Sequence, residues 1–341
     1  MADISEQGKR ALSPGSAPPA KRSRNVDSAG AESAHPQSMS DDASAEDLVQ
    51  VLQRCPDTAV AAAALRLLIK LARSDKGQAA VLAIDSAVAA IVLAQQEFAS
   101  ETEVQAEALR LLGNLTCSDE GEAAVLAADG VITATAAALE AHASEAEVQS
   151  LGLRLLANLS CGDEGEAAVL AADGVIAAAA AALQKHASET EVQGPGMRLL
   201  ANLSGSSEGQ AAVLAADGAI AAGVVALQAH DDEVEVQTEV LGLLANVTGS
   251  AESQAAVLAI EGIEGMVAAT VAALRAYAGE AEVQTEALRL LANLASSSEG
   301  QAVVLDADGV VNAAMAALQA HASETEVQQE ALRLLAKASP F

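Results

Sequence analysis

The chain has 341 residues, 51% of them hydrophobic, with 18 Lys and Arg against 47 Asp and Glu and a formal net charge of −29. That apolar content suffices for a large core or for one elongated array. The acidity repels phosphate backbones and anionic lipid, so it argues against nucleic-acid and membrane binding and favours a basic partner.

Residues 1–45 are rich in Ser, Ala, Pro, Gly and Asp and have no periodic apolar pattern, which predicts a disordered tail. The first residues contain no apolar stretch of the signal-peptide kind, and none is expected. Two basic clusters, Lys9-Arg10 and Lys21-Arg22-Ser23-Arg24, flank a ten-residue spacer with three prolines. This spacing on an extended chain resembles a bipartite nuclear localisation signal. Lys9, Arg10, Lys21, Arg22 and Arg24 would enter acidic pockets on an import receptor. A nuclear location is expected on that reading. On the alternative, a chance basic patch, the protein stays in the cytoplasm.

Residues 46–56 read as a short N-terminal capping helix. From residue 57 the chain repeats itself. The phrase Glu-Val-Gln begins at Glu103, Glu147, Glu191 and Glu235 in steps of 44, then at Glu282 after 47 and at Glu326 after 44. A helical period of this length marks a solenoid of stacked units. Six full repeats follow, 57–100, 101–144, 145–188, 189–232, 233–279 and 280–323, and a terminal helix over 324–341.

One repeat, 145–188, shows the pattern. Ser144 stands three residues before Glu147, which predicts a capping box at the start of a helix. Ser100/Glu103, Ser188/Glu191 and Ser323/Glu326 repeat it, with Asp232/Glu235 as a variant. Val148, Leu151, Leu155, Leu156 and Leu159 then fall at helical spacing. The following Cys-Gly-Asp-Glu-Gly reads as a loop, and a short second helix runs to Asp173-Gly174. A third helix, apolar on nearly all sides, requires neighbouring repeats to cover it. Asp-Gly corners recur at Gly130, Gly174, Gly218 and Gly309, with Glu261-Gly262 as a variant, and suit a left-handed C-cap. Three extra residues after Gly262 predict a bulged corner or a longer helix. Pro195, between Gly194 and Gly196, predicts a kink or a late helix start in its repeat.

The phrase VQAEALRLLGNLTCSDEGEAAVLAADGVI, followed by an Ala-Leu-x-x-His-like ending and the next Val-Gln, resembles the armadillo repeat over nearly the whole chain after residue 56. It is most similar to the subtype found in the N-terminal regions of leucine-rich-repeat kinases and in small armadillo-repeat-containing proteins. The resemblance implies an all-α fold, a right-handed armadillo-like superhelical solenoid of three-helix repeats. It also implies a concave groove lined by the Val-Gln helices, in which asparagines hold the backbone of an extended peptide. The matching residues are Asn114, Asn158, Asn202, Asn246 and Asn293, with Lys70 and Lys337 in the terminal copies. Peptide-binding members carry a tryptophan one turn earlier. This chain has none, and places Arg66, Arg110, Arg154, Arg198, Gly242, Arg289 and Arg333 there. That departure counts against a receptor for basic signals, which needs indole walls for cation–π contact.

Arg110 and Asn114 are four apart and share a helix face, as do Arg154/Asn158, Arg198/Asn202 and Arg289/Asn293. Stacking would align them into a ladder. Two readings are open. The ladder binds an extended, partly acidic peptide through Arg forks and Asn amides. Alternatively each Arg pairs with a Glu three residues earlier, such as Glu107, Glu286 or Glu330, and each Asn ties down the inter-repeat loop.

Nothing in the sequence predicts an enzyme. His142, His186, His230 and His321 recur once per layer, with Tyr277 and Phe98 in equivalent places, too far apart for a shared metal and placed to meet helix-end carbonyls. Cys55, Cys117 and Cys161 have no CxxC partner, which suits a reducing compartment. Asp119-Glu120 and Asp163-Glu164 read as solvated turn residues, and there is no nucleotide-binding or nucleophile-elbow motif. No cofactor or metal is expected, and a monomer is. The leading expectation is a non-enzymatic scaffold or adaptor in the nucleus that binds a protein or extended peptide along the groove. The alternatives are an importin-alpha-like cargo adaptor, or an acidic chaperone-like binder of basic nuclear proteins.

Overall fold

The Glu-Val-Gln period becomes a period of three helices. The computed structural model describes residues 43–54, 57–260 and 262–338; the basic clusters of the tail and Cys55 lie outside them. α1 (Ala45–Arg54) comes first. The repeats follow as α2 (Thr58–Ala72), α3 (Asp75–Leu82) and α4 (Ala87–Glu97), then α5 (Thr102–Leu115), α6 (Asp119–Leu126) and α7 (Val131–Ala141). Next are α8 (Ala146–Leu159), α9 (Asp163–Leu170) and α10 (Val175–Lys185), and α11 (Thr190–Leu203), α12 (Ser207–Ala215) and α13 (Ala219–Ala229). Then come α14 (Val234–Val247), α15 (Ala251–Leu258) and α16 (Ile263–Ala276), α17 (Ala281–Leu294), α18 (Ser298–Asp306) and α19 (Val310–Ala320), and finally α20 (Thr325–Ala338).

The long helices α2, α5, α8, α11, α14, α17 and α20 each pack on the next and form one layer. The apolar helices α4, α7, α10, α13, α16 and α19 stack likewise into a second layer, and α1 packs on α4 as α4 packs on α7. α1 thus takes the place that a third helix from a preceding repeat would occupy. On α8 the predicted stripe is the core: Val148, Leu151, Leu155, Leu156 and Leu159 are all buried. Each such side chain contributes about 1.5–3 kcal/mol of transfer free energy.

The helix ends differ from the sequence reading in three ways. The long helices do not begin with a Ser capping box. α5, α8 and α11 have Glu101, Glu145 and Glu189 at the N-cap, without a side-chain cap bond. The turn before α8 is closed instead by the Glu145 amide donating to the His142 carbonyl (3.0 Å), so the N-cap falls one residue beyond Ser144, and the Ser144 hydroxyl turns to Glu145. Beyond Asp57 at the start of α2 and Ser44 at the start of α1, the side-chain caps belong to the short helices. Ser74, Ser118, Ser206 and Ser297 accept from the amides of Gly77, Gly121, Gly209 and Gly300. Asp119-Glu120 and Asp163-Glu164, read as turn residues, are therefore the first turns of α6 and α9, where carboxylates complement the positive end of the helix dipole.

Thirdly, the corner glycines are left-handed, φ +84 at Gly130 and Gly174, but each is the N-cap of the following apolar helix and not the C-cap of the short one. The three additional residues of the 233–279 segment appear as length: α16 has 14 residues where α13 has 11. Pro195 does not delay α11. That helix begins at Thr190, as its counterparts do, and runs through the proline to Leu203.

Candidate functional site

Each residue of the Glu-Val-Gln phrase has its own task. The valines are core residues: Val104, Val148, Val192, Val283 and Val327 are all 0% exposed. The glutamines fasten the two layers together. Buried Gln149 donates through Nε2 to the carbonyls of Leu139 (2.8 Å) and His142 (3.0 Å), the open C-terminal end of α7. Gln105, Gln193, Gln237, Gln284 and Gln328 make the same pair of bonds in their own repeats. Helix ends leave unpaired carbonyls that a buried site must satisfy. The glutamates are exposed, and Glu103, Glu147 and Glu235 join the arginine ladder.

The periodic histidines are structural. Nε2 of His142 donates to the Ala99 carbonyl (2.8 Å), and His186, His230 and His321 do the same to Ala143, Ala187 and Ala278. Each ring therefore ties one repeat to the one before. Tyr277 serves this purpose in its own repeat through its hydroxyl, which donates to the Asp231 carbonyl (2.9 Å). Among the described residues no group of three His, Cys, Asp or Glu side chains is arranged to hold a metal ion. Cys117 and Cys161 are free and exposed. No single described helix is long and apolar enough to cross a membrane.

The layer of long helices carries the ladder. Arg66, Arg110, Arg154, Arg198, Arg289 and Arg333 lie on α2, α5, α8, α11, α17 and α20, one per helix, and Gly242 holds the place on α14. Most are paired. Arg66 pairs with Glu103, and Arg110 with Glu107 (2.6 Å) and Glu147. Arg198 pairs with Glu235 (2.9 Å) and Glu239 (2.7 Å), Arg289 with Glu286, and Arg333 with Glu330 (2.9 Å). The Glu239 hydrogen bond raises the pKa of Arg198, while burial outweighs the pull of Arg198 and holds the Glu239 carboxyl above its usual range. Arg154 is exposed and, among the described residues, makes no hydrogen bond or ion pair.

The asparagines face the preceding repeat. Asn202 donates through Nδ2 to the Ala157 carbonyl (3.0 Å), Asn246 to that of Ala201 (3.0 Å) and Asn293 to that of Ala245 (2.9 Å), each at the end of the preceding long helix. Asn158 donates to the Thr116 hydroxyl (2.9 Å). Asn114 is half-buried and makes no such bond among the described residues. The predicted residues therefore come together as a continuous row, and most of their polar capacity is used within the protein. The inter-repeat Arg–Glu pairs 37 residues apart were not evident from one repeat alone. Their signal was the fixed offset between each ladder arginine and the next Glu-Val-Gln phrase.

No protein-family model matches the chain, and no curated protein does. Among solved structures, 105 chains match. One comes from a structure described as showing that a conserved phosphorylation switch controls the interaction between cadherin and beta-catenin. The two share a TM-score of 0.55 and 16% identity, over 86% of this chain and 69% of that one. At this identity the likeness concerns the fold alone. Stacked three-helix repeats with that likeness make the chain an armadillo-like α-solenoid.

Proposed function

We propose that this protein is a non-enzymatic interaction scaffold that binds an extended peptide or protein across the exposed face of its long-helix layer. The observation that carries this reading is the row of polar side chains on the seven stacked long helices, with a ladder Arg on six of them and a ladder Asn on five. A row at constant spacing suits a ligand that is itself extended and periodic. The row offers arginine forks, and a ligand carboxylate must displace Glu107, Glu239, Glu286 or Glu330 wherever those already pair. The arginines of these pairs keep 31–40% of their side-chain surface exposed, so a ligand carboxylate can reach them. The subtype of armadillo repeat with the closest pattern remains that of the leucine-rich-repeat kinases and small armadillo-repeat-containing proteins.

Affinity capture from native extract tests this reading, using the full chain beside a variant with Arg110, Arg154, Arg198 and Arg289 changed to Ala. We expect partners of the wild-type chain to be lost from the variant at equal helicity by circular dichroism. Equal capture by both proteins would sink the ladder reading. The formal charge of −29 favours a second reading, an acidic binder of basic nuclear proteins. That reading predicts capture that survives the four substitutions and disappears as salt rises. An importin-alpha-like adaptor is a third form of the scaffold reading, and the absence of Trp counts against it.

The tail supports a nuclear location through an import receptor. Changing Lys9, Arg10, Lys21, Arg22 and Arg24 to Ala is expected to abolish nuclear accumulation of a fluorescent fusion. An unchanged distribution would remove the nuclear proposal.

A further inference from the structure

The geometry points to Arg154 as an oxyanion-reading position in the ladder, taking a carboxylate or a phosphorylated side chain from the bound peptide. This inference rests on the peptide-binding reading above. Each ladder arginine before α20 lies between two positions of a second row: the residue three before it on its own helix, and the equivalent residue 41 further on, on the next long helix. In chain order that row reads Ala63, Glu107, Leu151, Pro195, Glu239, Glu286 and Glu330. Arg66 and Arg110 have Glu107 beside them, Arg198 has Glu239, and Arg289 and Arg333 have Glu330. Arg154 alone lies between two residues that bear no charge, Leu151 and Pro195.

The structure follows this pattern. Arg110, Arg198, Arg289 and Arg333 are held by row glutamates and Arg66 by Glu103, whereas exposed Arg154 has no partner among the described residues, and Glu191 on the next helix does not pair with it. Leu151 is buried and gives this part of the row an apolar floor. Gly194 adds no side chain beside Pro195. Glu235, the acidic group nearest the open side of Gly194, is held by Arg198 at 2.9 Å. A free guanidinium forks onto a carboxylate or phosphate without first giving up an internal bond, unlike its neighbours. The acidic field of the whole chain does not forbid this, because exposed charges are screened beyond about 8 Å at physiological salt.

The test uses immobilised full-length protein and three pools of extended ten-residue peptides, degenerate except for a central phosphoserine, aspartate or serine. Wild type is expected to retain the phosphoserine pool, the aspartate pool or both about tenfold more than the serine pool, the size of one charge-assisted hydrogen-bonded contact. Preference for phosphoserine alone identifies a phosphorylated partner, and retention of both identifies any acidic one. Arg154→Gln is expected to abolish the preference. Pro195→Glu should abolish it as well. It restores the row carboxylate in the place Glu239 has beside Arg198 and also removes a helix-interior proline, so misfolding cannot explain the loss. A preference that survives both substitutions, or equal retention of all three pools, overturns the assignment of Arg154. Equal retention above a blank support leaves the peptide-binding reading intact. Retention of no pool overturns both.

Discussion

Replacing Gly165 by alanine is expected to destabilise the array by about 2–3 kcal/mol, the cost of forcing atoms into a packed site. An added Cβ there would lie 3.0 Å from the Leu159 carbonyl carbon and closer still to its oxygen. Gly77, Gly121, Gly209 and Gly300 face the equivalent backbone in their own repeats. The obstacle is main chain at the end of the long helix, so it cannot turn aside as a side-chain tip would. Relief requires α9 to move away from α8, which loosens the packing around buried Val169. One repeat shows the limit of the cost. Ser253 occupies this position in α15, and there its hydroxyl joins Ser250 in a reciprocal capping box that the glycine copies lack. Alanine brings the Cβ without that compensation. The control is Gly162→Ser in the same turn. An added Cβ at Gly162 meets nothing within 4 Å, its backbone is extended, and serine caps this helix start in the other repeats. That variant should stay within about 0.5 kcal/mol of wild type or exceed it. Urea unfolding followed by circular dichroism reads both. Similar losses in the two variants would show that the close approach to the Leu159 carbonyl does not govern stability here.

Much of the fold was open to reading because the repeat prints the same physical requirements again and again. The three-helix unit, the apolar stripe of Val148, Leu151, Leu155 and Leu159, and the left-handed corner at Gly174 follow from spacing and from what glycine permits. The misreadings share one cause, a local signal whose outcome is set by a neighbour in space. Ser144 and Glu147 satisfy the spacing of a capping box, yet the Glu145 amide is already taken by His142, and the helix begins too late for the serine to cap it. Gly165 looked like a loop glycine, and it is a helical residue required by the backbone of α8. The ladder was visible as a row of Arg and Asn, because four-residue spacing on a helix is a local fact. Which arginines were already neutralised was not, since the Arg110–Glu147 and Arg198–Glu235 pairs exist only once successive long helices lie side by side. Gln149 was passed over altogether. On a helical wheel it is one more polar residue, and only the position of the α7 carboxyl end reveals its work.

Gln149→Leu is accordingly expected to cost about 2–4 kcal/mol, because it leaves the buried Leu139 carbonyl without a donor and the His142 carbonyl with the Glu145 amide alone, while nearly preserving side-chain volume. Leu139 and His142 each lose their bond from Nε2, and neither carbonyl gains another donor from a leucine. Solvent reaches them poorly, since Gln149 is 1% exposed. The equivalent Gln328 near the end of the array makes the same two bonds at a partly buried site, where water can substitute. Gln328→Leu should therefore cost less, about 1 kcal/mol. The comparison separates loss of a hydrogen bond from a general intolerance of leucine in the phrase. In a solenoid each repeat is stabilised by its neighbours, so a weakened interior contact divides the array where a weakened end only frays it. Amide exchange should report this directly: Gln149→Leu speeds exchange in α7, α8 and the repeats flanking them, whereas Gln328→Leu speeds it in α19 and α20 alone. If the interior variant lost no more stability than the terminal one, the glutamines would be packing residues, and the hydrogen-bonded coupling of the two layers would have to reside in His142 and its counterparts.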